Sequence, residues 1–186
     1  MGRIILVTGG ARSGKSQFAE SYVKKLGRKL VYIATAQVYD GEMERRVEIH
    51  QARRGLEWQT FETPYLAEKS IKAAGQTADA ILFDCLTLYV SNMMGSADFP
   101  VLPEERFNYV KMRIAKLITA AKAAECPVVF VTNEVGLGIV PLNAMAREYR
   151  DLAGITNQML AKAADKVYLT ISGLAVDIKK IAENLE

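Results

Sequence analysis

The segment Ile4-Ile5-Leu6-Val7-Thr8-Gly9-Gly10-Ala11-Arg12-Ser13-Gly14-Lys15-Ser16 decides the fold. Ile4–Thr8 reads as a buried strand, and Gly9, Gly14, Lys15 and Ser16 then match G-x-x-x-x-G-K-[ST] in full. Glycines let the backbone wrap around a phosphate, successive N–H groups point at it, and the start of the following helix adds positive potential. Lys15 is placed to reach the terminal phosphates, and Ser16 supplies the hydroxyl that binds Mg²⁺ in such sites. The alternative is a glycine-rich turn that happens to precede Lys-Ser. The strand before the match and the helical periodicity after it argue against that. With no phosphate bound, Lys15 is expected to face solvent.

Outward from this loop, apolar runs recur at Leu30–Ala34, Ala80–Asp84, Val128–Thr132 and Val167–Ile171, and helical periodicity fills the intervals at Gly14–Leu26, Gly41–Arg54, Pro64–Ala74, Glu104–Ala124 and Asn143–Ala164. Ile81-Leu82-Phe83 and Val128-Val129-Phe130-Val131 are apolar on both faces, as strands inside a parallel sheet must be. The expectation is an α/β fold, a three-layer P-loop NTPase domain with a mostly parallel central sheet, formed as one domain by residues 1–186. Glu57–Glu62 is a candidate extra strand, and Leu174–Lys180 a candidate edge strand or helix. Gly95–Pro103 is the longest irregular stretch, lying between two helical segments, and reads equally as a lid or a surface connection.

Composition bounds the partners. The chain has 186 residues, 24 Lys and Arg against 21 Asp and Glu, and a net charge of +3. So mild a basic balance does not imply nucleic acid, for which positive charge gathers in one stripe. The one local concentration, Arg45, Arg46, Arg53 and Arg54, fits a solvated helix face or a pocket for a small polyanion. Two cysteines, Cys85 and Cys126, are too few for a disulfide framework and fit a reducing compartment. No run of apolar residues reaches membrane-spanning length, and a cytoplasmic location is expected.

A carboxylate at a neighbouring strand end completes the metal environment of a P-loop, and Asp84 ends such a strand. Its alternative role is to cap the following helix. The chain contains no Asn-Lys-x-Asp motif for guanine, which weakens a regulatory GTPase reading. A motor or transport ATPase is usually larger or multi-domain, so a compact metabolic transferase is favoured.

Thr8-Gly-Gly-Ala-Arg-Ser-Gly-Lys-Ser16, Tyr32-Ile-Ala-Thr35, the segment Glu42–Arg54 around His50, and Val131-Thr-Asn-Glu-Val-Gly-Leu-Gly-Ile-Val-Pro141 together resemble the bifunctional adenosylcobinamide kinase / adenosylcobinamide-phosphate guanylyltransferase family. The resemblance runs from residue 3 to about residue 173. It implies phosphorylation of adenosylcobinamide by ATP or GTP, then transfer of GMP from GTP to the adenosylcobinamide phosphate with loss of pyrophosphate, in the presence of Mg²⁺. It implies a GMP-histidine intermediate at His50, the chain's one histidine. Nucleotide contacts carry over to Thr8, Gly9, Gly10, Ala11, Arg12, Ser13, Gly14, Lys15, Ser16, Ala34, Thr35, Ala36, Gln51, Ala52, Arg53, Arg54, Glu62 and Asp84, with Ser16 and Asp84 as metal ligands. A homo-oligomer, a trimer, is also implied. The chain departs from the family at Ala36, where a serine is expected, and at Asp84, where a glutamate is. Aspartate keeps the charge with one methylene less reach. Gln51 and Ala52 match poorly in type, so their contacts would be through backbone.

On a helix over Gly41–Arg54, Arg46 and Arg54 fall four residues either side of His50 and Arg53 three residues on. Positive neighbours disfavour imidazolium, which keeps the ring lone pair available for attack on phosphorus. Thr132-Asn133-Glu134-Val135-Gly136 ends a strand and is expected to border the site; a plain polar turn is the alternative. Two rival functions remain at this stage: a small-molecule kinase lacking the guanylyl step, and a nucleotide-binding regulatory protein without catalysis.

Overall fold

The computed structural model describes residues 2–37, 41, 55 and 57–183. Its strands are β1 (Ile4–Gly9), β2 (Leu30–Ala34), β3 (Trp58–Glu62), β4 (Ala80–Asp84), β5 (Val128–Val131), β6 (Lys166–Ile171) and β7 (Leu174–Asp177). They form one seven-stranded sheet in the order β3-β2-β4-β5-β1-β6-β7. Every neighbouring pair is parallel except β6 with β7. The helices are α1 (Lys15–Lys24), α2 (Ala67–Ala74), α3 (Leu86–Met94), α4 (Pro103–Ala123) and α5 (Ala144–Ala163). The helix expected over Gly41–Arg54 lies outside the described residues, apart from Gly41 itself.

Strand alternation divides the core into two layers. Ile4, Leu6, Ile33, Ile81, Phe83, Val128 and Phe130 point to one face and meet Ile71, Leu86, Tyr89, Ile114, Leu117 and Leu160 of α2, α3, α4 and α5. Ile5, Val7, Leu30, Leu82, Val129 and Val131 point to the other and meet Ala19 and Val23 of α1. With both faces covered, the central strands bury nearly every side chain, which is why they read as unbroken apolar runs. Each large apolar side chain so buried contributes about 1.5–3 kcal/mol.

Three details refine the sequence reading. Helix α3 was not among the segments marked by periodicity: Leu86, Thr87, Tyr89, Val90, Asn92 and Met93 are all buried, so the helix has no broad polar face to give a 3.6-residue signal. The tail is both things at once, an edge strand over Leu174–Asp177 and then a 3₁₀ turn over Ile178–Lys180. The stretch after Gly95 stays irregular up to Pro103, which opens α4 at a position where its missing N–H costs nothing. Arg106 ties that stretch down, donating to the carbonyls of Pro100 and Val101 and pairing with Glu148 at 3.0 Å. Its Phe99 packs edge-on to Tyr109. These ties fix the stretch against α4 and α5.

Candidate active site

Parallel register carries the carboxyl ends of the strands to one edge of the sheet. Ala34 stands opposite both Glu62 and Asp84, Asp84 opposite Val131, Val131 opposite Val7, and Gly9 opposite Thr170. This is the edge at which open α/β sheets bind ligands. Of the residues expected to bind nucleotide, Thr8 to Ser16, Ala34 to Ala36, Glu62 and Asp84 all lie along it. His50, Gln51, Ala52, Arg53 and Arg54 lie outside the described residues.

The phosphate loop is built by close backbone approach. Gly14 adopts φ +94° immediately before α1, a conformation that L side chains rarely take. Gly9 is limited by space instead: a Cβ there would sit 2.6 Å from Ser13 Oγ and against Thr170. The loop is then laced from behind by the β6–β7 hairpin. Ser13 Oγ hydrogen-bonds Thr170 Oγ1 at 2.8 Å, Thr170 Oγ1 donates to the Thr8 carbonyl at 3.0 Å, and the Gly173 N–H donates to the Ser13 carbonyl at 2.9 Å. Ser172 and Gly173 both have positive φ, the signature of the tight turn that matches strand twist.

Lys15 is half-buried rather than solvent-facing, a correction to the expectation. Its Nζ donates to the Gly10 carbonyl at 3.1 Å. Burial pulls its pKa below the ordinary lysine value, while the negative charge of the Cys85 thiolate form and of Asp84 pulls it back up. The ammonium rests on the loop carbonyl, within electrostatic range of Asp84 at the end of β4.

Asp84 does not cap helix α3. The capping position is Cys85, whose side chain makes no capping hydrogen bond. The Asp84 carboxylate instead accepts from the Tyr32 hydroxyl at 3.0 Å and faces Lys15. Cys85 is set by Thr35, whose hydroxyl donates to the Cys85 carbonyl and accepts from the Cys85 N–H, both at 2.8 Å. Fully buried Thr35 therefore fixes the backbone that follows β4. Desolvation pushes the Cys85 thiol up to about 11, so at neutral pH it is protonated and inert as a nucleophile.

The Thr132–Gly136 segment borders the same edge. Its strand, β5, runs between β1 and β4, and the Glu134 N–H donates to the Gly9 carbonyl at 3.1 Å. Asn157 of α5 holds it from below. The Asn157 amide accepts from Thr132 Oγ1 at 2.7 Å and donates to the Asn133 carbonyl at 3.1 Å and to Glu134 Oε2 at 3.4 Å. Asn133 Oδ1 is buried with no hydrogen-bond partner among the described residues.

Among the described residues, no group of three or more His, Cys, Asp or Glu side chains is placed to hold a metal ion. A hydroxyl at the start of α1 and a carboxylate at the end of β4 are a donor set that suits Mg²⁺ carried by a nucleotide, which takes its other ligands from phosphates and water.

The model of the cobinamide kinase / cobinamide phosphate guanyltransferase family matches residues 5–178. The chain belongs to that family. As a cobinamide kinase / cobinamide phosphate guanyltransferase it is a bifunctional transferase, and this decides against both the single-activity kinase and the non-catalytic regulator. It is 43% identical over 182 residues to the bifunctional adenosylcobalamin biosynthesis protein CobU of Salmonella typhimurium, covering 95% of this chain and 99% of that protein. Against the CobU protein of Escherichia coli the identity is 41%, and against the CobP protein of Pseudomonas aeruginosa 37% over 174 residues. Among solved structures, an ATPase of a bacterial type III secretion system aligns over 100% of this chain and 61% of its own, at 12% identity and TM-score 0.58, a likeness of P-loop fold alone.

In this kinase/guanyltransferase several supporting residues escaped the sequence reading. Thr170 and Gly173 anchor the phosphate loop across 157 or more positions of chain, and Asn157 sits on the inner face of a helix like any core-facing polar residue. Only the pairing of β6 beside β1 reveals the first two. Tyr32 is the exception, since it alternates onto the same strand face that ends at Asp84.

Proposed function

We propose that both transfers occur at this carboxyl edge. In the first, the P-loop holds a nucleoside triphosphate and Lys15 offsets charge as the γ-phosphoryl group passes to the hydroxyl of the adenosyl form of cobinamide. In the second, His50 takes GMP from GTP, pyrophosphate leaves, and the cobinamide phosphate accepts GMP from the histidine. The observation that carries the reading is the convergence of Lys15 with Asp84 beside the P-loop, on an edge that also gathers Ala34, Thr35, Ala36 and Glu62. Positioning and charge neutralisation suffice for most of phosphoryl transfer. Ser16 and Asp84 would hold the Mg²⁺ of the bound nucleotide, which supplies charge stabilisation when present.

His50 enters through the family resemblance and through its arginine neighbours in sequence, which favour a neutral imidazole and can hold a triphosphate. Arg53 and Arg54 with Gln51 and Ala52 are proposed to contact the same nucleotide. No described helix is long and apolar enough to cross a membrane, and both cysteines are free, in keeping with a cytoplasmic enzyme of cobalamin biosynthesis. A homotrimer is proposed on the resemblance alone. The test uses the purified chain with two labels: γ-labelled ATP or GTP with adenosylcobinamide, and α-labelled GTP with adenosylcobinamide phosphate. Each label is expected to reach the corrinoid, and failure of both to do so contradicts the reading.

A further inference from the structure

The two transfers make different demands on a base. Phosphorylation begins with an alcohol, whose O–H bond must break as oxygen attacks phosphorus. Guanylyl transfer ends on a phosphate, whose attacking oxygen is already anionic at neutral pH and needs no base to bare it. A residue that serves only as proton acceptor is therefore needed for one activity and dispensable for the other.

Two described carboxylates flank the phosphate loop. Asp84 is committed: it accepts from the Tyr32 hydroxyl, and its charge is directed at Lys15. Glu134 differs. It stands at the end of β5, directly beside the P-loop strand, with its N–H on the Gly9 carbonyl at 3.1 Å. One carboxylate oxygen is held by the Asn157 amide at 3.4 Å, and that same amide also holds the neighbouring Asn133 carbonyl at 3.1 Å. The chain then turns at Val135–Leu137, pinned by Arg150 on the Gly136 carbonyl at 3.0 Å, and emerges with Leu137 and Ile139 almost fully exposed. Glu134 thus sits on a fixed stalk where the phosphate loop meets open surface.

We propose that Glu134 is the general base of the phosphoryl-transfer step and has no part in guanylyl transfer; the assignment rests on the reading that both reactions use this edge. The hydroxyl proton passes to the Glu134 carboxylate, the alcohol oxygen forms its bond to the γ-phosphorus, and the bond from that phosphorus to the bridging oxygen breaks, releasing the nucleoside diphosphate. The carboxylic acid then returns its proton to solvent.

The experiment measures both label transfers for the wild type, Glu134→Gln, Glu134→Ala and Asp84→Asn, each as the full chain. Glu134→Gln is expected to lower the kinase kcat by about 100-fold or more, in the range of general-base effects, while leaving guanylyl transfer from GTP to supplied cobinamide phosphate within about threefold. The retained second activity shows that the variant is folded. Added formate is expected to restore part of the kinase activity of Glu134→Ala, and Asp84→Asn to depress both reactions together. Kinase activity of Glu134→Gln within about threefold of the wild type, equal loss of both activities, or no rescue by formate overturns the assignment. A wild type that does not phosphorylate cobinamide at all sinks the underlying reading and the proposal with it, an outcome told apart by the wild-type assay itself.

Discussion

Thr170→Val probes whether the β6–β7 hairpin holds the phosphate loop in shape. The change keeps the branched outline of the side chain and removes one hydroxyl, which lies 2.8 Å from Ser13 Oγ and 3.0 Å from the Thr8 carbonyl. Thr170 is 1% exposed and Ser13 8%, so water cannot replace either partner. Each lost bond contributes about 1 kcal/mol net, and leaving the Ser13 hydroxyl buried without a partner costs about 1 kcal/mol more. The expected loss is therefore about 2–3 kcal/mol. At this chain length that corresponds to a fall in Tm of roughly 4–12 °C. Urea unfolding gives the free energy, and calorimetry of GTP binding gives the second readout, a severalfold weaker Kd because a slackened loop must be ordered on binding. Thr119→Val is the control. Its hydroxyl bonds only the Ala115 carbonyl at the surface, and its removal should shift stability by no more than about 0.5 kcal/mol. Because Ser13 and Thr170 share one bond, Ser13→Ala and Thr170→Val should couple by about 1 kcal/mol in a double-mutant cycle. A Thr170→Val protein as stable as the control, or a strictly additive cycle, refutes the tethering argument.

Further outcomes are expected elsewhere. Lys15→Ala should keep the fold, since the one hydrogen bond Lys15 makes among the described residues is an exposed one to the Gly10 carbonyl, while calorimetry with Mg²⁺ should show GTP binding weakened by about 10–100-fold from lost charge-assisted contacts. Arg113 pairs with Glu68 at 3.4 Å, both nearly buried, so Arg113→Ala should cost about 3 kcal/mol in urea unfolding by stranding the carboxylate, and pairing Arg113→Met with Glu68→Leu should recover most of it. The backbone N–H groups of Lys29 and Arg28 hold the Asp79 carboxylate below the ordinary carboxyl pKa of 3.8. That stabilisation is present in full above the unfolded value and disappears as pH falls through the lower folded one, so the stability gap between wild type and Asp79→Ala should hold at neutral pH and close in strong acid.

The sequence carried the sheet because its strands are buried on both faces: Ile81–Phe83 and Val128–Val131 have no polar side to confuse them with amphipathic helix. It carried the phosphate loop because the positive φ of Gly14 and the close approach of Gly9 to Ser13 are needs set within the loop that leave a fixed spacing, although Gly9 also abuts distant Thr170. What it did not carry is whatever depends on strand order. Thr170 binds Ser13 only because β6 pairs with β1, and Glu134 reaches Gly9 only because β5 is inserted between β1 and β4. No short-range pattern records either. The half-burial of Lys15 was missed for a related reason: the expectation considered an open loop, whereas the ammonium is tied to the Gly10 carbonyl within electrostatic range of Asp84. Helix α3 was lost to its own burial, since Tyr89, Val90 and Met93 leave no polar stripe.

In the proposed function one P-loop edge serves two chemistries, with His50 carrying GMP between GTP and the cobinamide phosphate. Intact-protein mass spectrometry after incubation with GTP and Mg²⁺ at alkaline pH tests it most directly, because a phosphoramidate on histidine survives alkali and is lost in mild acid. The wild type should gain the mass of one GMP, lose it on mild acidification or on addition of cobinamide phosphate, and His50→Ala should gain nothing. A wild type that stays unmodified under turnover conditions, or an alanine variant modified to the same extent, contradicts the account.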